Sequence, residues 1–216
     1  MTKKSKIRES DIITFYMEYV VEHKTKPDAV EDFAQLYQFD EVIFYEYFSS
    51  FKVLEKTIYN ELFLNSVVIL KQSPEYHSFG KKDKLLSLYY TFFENLALNQ
   101  EYVKLSLQGL ENQLKALSTF SLFKKSFTAF IDELNLETIS LNVETIENIQ
   151  KKVIKESAWV QFLFIMKFWL DDTSDAFEKT DIFIEKSINT SIELLDTKSL
   201  HNIIDLAKFL YKEKLK

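Results

Sequence analysis

Residues 27–54 read PDAVEDFAQLYQFDEVIFYEYFSSFKVL, two short apolar-periodic segments separated by a polar break. Asp28 can cap a short helix whose apolar positions are Val30, Phe33, Ala34 and Tyr37. Gln38-Phe39 makes a tight turn. Asp40 caps a second short helix, Glu41 to Phe48, with Ile43, Phe44, Tyr47 and Phe48 on its faces. Pro27 cannot continue a helix, so it separates this pair from an earlier one. That earlier helix is predicted over Ser10–His23, with Ser10 as N-cap and Ile12, Ile13, Tyr16, Met17, Val20 and Val21 at helical spacing. Short helices in this order, the last two joined by a tight turn, form a helix-turn-helix unit.

Outward from this unit the chain stays helical. Its 216 residues hold only 2 Gly and 2 Pro, beside 20 Phe, 11 Tyr and 2 Trp. Glycine and proline supply most tight turns, so a sheet protein built on hairpins is excluded and an all-α fold is expected. Longer helices are predicted over 50–72, closed by Pro74, and over 82–99. A short one ends near Gly109. Another spans 110–134 with a kink near Ser118–Ser121, and the next runs from Thr145 to Leu170. Asp175–Leu195 follows, and Ser199 caps a last helix reaching about Lys214. The expected division is a helix-turn-helix domain, 1–50, and a larger helical domain, 51–216.

Composition excludes much chemistry. Without Cys there is no disulfide scaffold, zinc finger or thiol nucleophile, and His23, His77 and His201 are too scattered for a metal site. No phosphate loop, glycine-rich fingerprint or Ser-His-Asp arrangement occurs, so neither a cofactor nor an enzyme is expected. Asp171-Asp172-Thr173-Ser174-Asp175 lacks the turn Gly and closing Glu of a calcium loop. It reads as a helix–helix turn in which Ser174 or Asp175 caps the next helix, Glu178 completing a capping box. No apolar leader follows Met1–Lys6, and the longest apolar run, Ala158–Leu170, is shorter than the ~20 residues of a membrane span. A cytoplasmic protein is the expectation.

The register of three segments carries a resemblance: Asp11-Ile12-Ile13, then Val30-Glu31-Asp32-Phe33-Ala34, then Ile43-Phe44-Tyr45-Glu46-Tyr47-Phe48 followed by Leu54. These residues resemble the N-terminal domain of the TetR family of transcriptional regulators. The resemblance implies a TetR-like fold, a homodimer, DNA as partner and a ligand in the larger domain. It assigns phosphate contacts to Lys3, Lys4, Lys6, Arg8, Tyr45 and Lys52, and puts Asp40 and Glu41 nearest the bases. The sequence departs from the family at the turn, where Gln38 replaces Gly. At the start of the recognition helix, Asp40, Glu41, Val42 and Ile43 replace Ser, Lys, Gly and Thr. Between Pro27 and Phe51 stand six acidic residues and no Lys or Arg. DNA affinity comes largely from basic groups that neutralise phosphates, so the flanking cations, Lys24, Lys26 and Lys56 included, must offset this charge.

A second, looser resemblance runs from Phe168-Trp169-Leu170-Asp171 to Phe183-Ile184-Glu185-Lys186-Ser187-Ile188. It is similar to the C-terminal region of coenzyme Q biosynthesis accessory proteins, TetR-fold lipid binders that have lost DNA binding. This is the alternative function.

In the larger domain, the segment Trp159–Leu170 is apolar nearly all round and must be buried on several sides. Val160, Phe164 and Phe168, with Phe177, Ile184, Ile188, Ile192 and Leu195 of the next helix, are the expected dimer interface, two helices from each subunit forming a four-helix contact. Tyr89, Phe92, Phe93, Phe120, Phe123, Phe127, Trp159, Phe162 and Met166 are the expected lining of an apolar cavity for a small molecule or lipid. Leu200, Ile203, Ile204, Ala207, Leu210 and Tyr211 share one face of the last helix. That face is expected to pack on its own subunit rather than on a membrane surface.

Overall fold

The computed structural model describes residues 7–108, 118–136 and 144–195, and every regular element among them is helical. In order these are α1 (Glu9–His23), α2 (Val30–Leu36), α3 (Glu41–Tyr47), α4 (Phe51–Gln72), α5 (Lys81–Leu98), α6 (Gln100–Leu107), α7 (Ser121–Glu133), α8 (Glu144–Asp171) and α9 (Glu178–Leu195). Short 3-10 turns at Pro74–His77 and Asp175–Phe177 follow α4 and precede α9. Lys3, Lys4, Lys6 and the helix expected from Ser199 lie outside the described residues, as does the early part of the helix expected over 110–134.

Local chemistry explains the helix ends and corrects two expected caps. α1 starts before Ser10: Arg8 is its N-cap, and the Asp11 carboxylate takes the Arg8 backbone N–H at 2.9 Å. α2 is preceded by Ala29 in extended backbone rather than capped by Asp28. Asp40 does cap α3, accepting from Val42 N at 2.9 Å. Gln38 stands in the turn with φ 57°. This is the left-handed region that glycine adopts freely, which is why the TetR pattern has Gly there.

Two compact units make up the chain, Met1–Asn65 with Phe93–Lys125 and Ser66–Phe92 with Ser126–Lys216. The first holds α1–α3, the first half of α4, and α6. Its centre is the Phe33 ring, with the rings of Tyr16, Tyr19, Tyr37, Phe39, Phe44 and Phe51 at 5.2–6.4 Å between centroids. A head this short lacks aliphatic bulk, and large aromatic areas supply the burial instead. The second unit is built on α5, α7, α8 and α9. Leu85, Leu88, Tyr89, Phe127, Phe130, Trp159, Phe162, Ile165, Trp169, Ile184 and Ile188 are all buried there.

Asp172 joins α8 to α9. It accepts from Ser174 N (2.9 Å) and Ser174 Oγ (2.7 Å) on Oδ1, and from Thr180 N (3.0 Å) and Thr180 Oγ1 (2.6 Å) on Oδ2. Ser174 Oγ in turn accepts from Lys179 N at 3.2 Å. The cap is therefore shared by Asp172 and Ser174, and Asp175–Phe177 is a separate turn rather than the first turn of α9.

Candidate functional site

In the head, burial of Phe33, Phe44 and Phe48 fixes which faces of α2 and α3 look outward. Asp40, Glu41, Tyr45 and Glu46 are exposed on α3 or its cap, and Val42 is 60 % exposed beside them. Asp28, Glu31 and Asp32 are exposed at α2. The surface in the position of a reading helix is thus carboxylate-rich, with Tyr45 and Val42 at its middle. Lys52 is exposed at the start of α4.

Three of the flanking cations are engaged inside the chain. Arg8 forms a two-bond pair with Asp11, Nε to Oδ2 at 3.2 Å and Nη2 to Oδ1 at 3.0 Å. That hydrogen bond holds the Asp11 carboxyl below its ordinary range and the guanidinium above its own. Lys24 pairs with Glu101 of α6. Lys26 reaches the buried Glu55 at 2.6 Å, and Tyr16 also donates to Glu55 at 2.6 Å. Burial first, and the Glu55 charge second, push the Tyr16 hydroxyl far up. Charge and spacing alone do not reveal these pairs, because Glu55 and Glu101 lie far from their lysines in the chain.

The nine residues expected to line a ligand cavity are all buried. Six of them fall in the second unit. There Trp159 stacks on Phe162 (5.4 Å), Phe127 meets both at 5.7 and 5.5 Å, and Tyr89 and Phe92 close on Phe162 at 6.0 and 5.6 Å; Met166 is buried in the same unit. Phe93, Phe120 and Phe123 belong to the first unit. Phe120 is 4.9 Å from Tyr59, and Phe123 is 5.0 Å from Phe63. These rings fill the space between their helices by touching one another.

An open groove of about 820 Å³ runs between α8 and α9. It is lined by Glu156, Ser157, Val160, Gln161 and Phe164 of α8 and by Phe183, Lys186, Ser187, Thr190 and Ser191 of α9. Val160 and Phe164 are 48 % and 64 % exposed, and Phe168 is exposed along the same side of α8. Those three expected interface residues therefore form an open apolar face. Ile184 and Ile188 do not belong to it: both are fully buried within the chain. Phe177 stacks on Trp169 at 5.2 Å, and Ile192 and Leu195 are partly buried. Phe183 of α9 lines the groove and is not among the expected interface residues; Val153, Ile182 and Leu194 are further exposed apolar residues of the two helices. Helical spacing selects one stripe of α9 without saying what that stripe meets, and Ile184 and Ile188 at its centre face inward.

The α2–turn–α3 unit has the arrangement of a helix-turn-helix, and a larger helical region follows it. Residues 84–210, more than half of the chain, match the family model described as Tetracyclin repressor-like, C-terminal domain. The chain belongs to the TetR family. The matched span contains Trp169–Ile188, and the looser resemblance of that segment to coenzyme Q accessory proteins is not shown by it. A comparison with curated proteins gave no match. No helix among the described residues is long and apolar enough to cross a membrane.

Proposed function

We propose that this protein is a non-enzymatic transcriptional regulator of TetR type, a homodimer that binds DNA through residues 1–50 and responds to an apolar small molecule or lipid through residues 51–216. The observation that carries the reading is the α2–turn–α3 unit attached to the TetR domain. Phe44 and Phe48 are buried while Glu41, Val42 and Tyr45 project from the first turns of α3. Two such heads, held by the α8–α9 faces, meet half-sites one DNA turn apart, about 34–36 Å. Tyr45, Lys52 and the arm of Lys3, Lys4, Lys6 and Arg8 contact phosphates. Glu41 or Asp40 accepts from a cytosine amino group. An effector acts only through its differential affinity for the two states of the dimer. The phosphate contacts make affinity fall as salt rises. The test is fluorescence anisotropy at low ionic strength with DNA from the protein's own upstream region. Saturable, competitor-resistant binding is expected, and an intact dimer that binds no DNA removes the reading.

A second reading keeps the dimer and drops the DNA, leaving a carrier of a lipid or quinone. The engagement of Arg8, Lys24 and Lys26 with Asp11, Glu101 and Glu55 favours it, because those charges are already neutralised within the chain. A co-purified lipid in native mass spectrometry of protein purified from its host, together with no DNA binding in the anisotropy assay, is the outcome this second reading expects.

A further inference from the structure

The C-terminal end of α7 is held from three sides. Lys155 of α8 pairs with Asp132 at 2.7 Å, Lys71 near the end of α4 pairs with Glu133 at 2.7 Å, and Lys81, the first residue of α5, donates to the Asn135 carbonyl. Asn135 stands in the left-handed region at φ 47°, and its N–H bonds the Asp132 carbonyl at 3.1 Å, which ends the helix. Between this end and the first turns of α8 lies a cavity of about 340 Å³, at the small end of the range for ligand sites. Ile131, Leu136 and Ile154 are its apolar part, the first two buried. Its α8 wall is Asn148, Lys151, Lys152 and Lys155. Spacings of three and four residues put these four on one helix face, where like charges repel. The lining sets a single carboxylate, Asp132, against the three ammonium groups, in a chain whose net charge is −6. Glu156, the next acid along α8, lines the α8–α9 groove instead. Lys151 and Lys152 are exposed, and the amides of Asn135 and Asn148 add further N–H donors. At 1.5 Å per residue the wall from Asn148 to Lys155 is about 10 Å long. That is more than one tetrahedral anion spans and enough for two joined anionic groups.

We propose that this cavity binds a small molecule bearing a diphosphate. Lys151, Lys152 and Lys155 meet its oxygens with charge-assisted hydrogen bonds, the two asparagine amides donate to the outer oxygens, and an attached body lies on Ile131, Leu136 and Ile154. Lys155 has three donors, so it serves the ligand while keeping Asp132. Lys71 and Lys81 hold the α7 wall in place, so little has to be ordered on binding. The site shares no residue with the rings around Phe162, and it rests neither on DNA binding nor on an apolar effector.

Isothermal titration calorimetry of the full chain with inorganic pyrophosphate, in magnesium-free buffer at constant ionic strength, tests it. One saturable site per chain is expected. Lys152→Gln changes an exposed side chain and spares the core; it weakens binding about tenfold or more. Lys167→Gln, on the same helix but outside the cavity, leaves affinity unchanged. Parallel titrations with ADP and with a short alkyl diphosphate separate the sources of the group: whichever binds more tightly than pyrophosphate carries the body that the apolar part accepts, and if neither does, the free ion is the ligand. Absence of saturable binding, wild-type affinity in Lys152→Gln, or an equal loss in both variants, the mark of general charge attraction, overturns the proposal.

Discussion

Replacing Asp172 with alanine tests what holds the α8–α9 hairpin together. The carboxylate accepts four hydrogen bonds and is only 7 % exposed. Burial pushes its pKa up, but the bonds from Thr180 and Ser174 outweigh burial and hold the group at about 2, against an ordinary 3.8. One pKa unit is about 1.4 kcal/mol, so the ionised form contributes on the order of 2 kcal/mol to folding. The folded-state pKa is depressed. The contribution is therefore complete above about pH 4 and is lost as pH falls towards about 2. Asp172→Ala also strands the N–H and hydroxyl of Thr180, itself 1 % exposed, for a total loss of about 2–4 kcal/mol at neutral pH. Asp172→Asn keeps one good acceptor and turns an amide N–H₂ toward donors, so it falls between wild type and alanine. Urea denaturation at fixed protein concentration, repeated from pH 7 down to pH 3, measures this. The gap between wild type and Asp172→Ala narrows as the acid end is approached. A gap below about 0.5 kcal/mol at neutral pH, the range of ordinary surface substitutions, or one that does not change with pH, refutes the account.

Phe164→Glu places a charge on the open α8 face without touching the buried stripe of Ile184 and Ile188. Sedimentation velocity is expected to show monomer at micromolar concentration with far-UV circular dichroism unchanged, whereas a persistent dimer places the interface elsewhere. Gln38→Gly relieves the left-handed backbone at φ 57°. It is expected to stabilise the protein by about 1 kcal/mol in the same urea assay, and a destabilised variant contradicts the strain.

Periodicity and composition determine the helices of this protein because each rests on local signals. Two Gly and two Pro in 216 residues leave little turn-forming chemistry, Asp40 caps α3 from within its own turn, and Phe33, Phe44 and Phe48 alternate with carboxylates so that only one face can be buried. The acidity of the α2–α3 unit and the apolar residues of the open α8 face were legible for the same reason. Tertiary structure decided the rest. Lys26 meets Glu55 and Lys24 meets Glu101 only once α1, α4 and α6 are packed, so the neutralisation of the flanking cations could not be read from charge order. Ile184 and Ile188 share a helical stripe whatever their partner. That they face inward while Phe164 faces out depends on how the Asp172 turn sets α9 against α8. A sequence pattern fixes which residues share a face, and the packing of one helix on another fixes what that face meets.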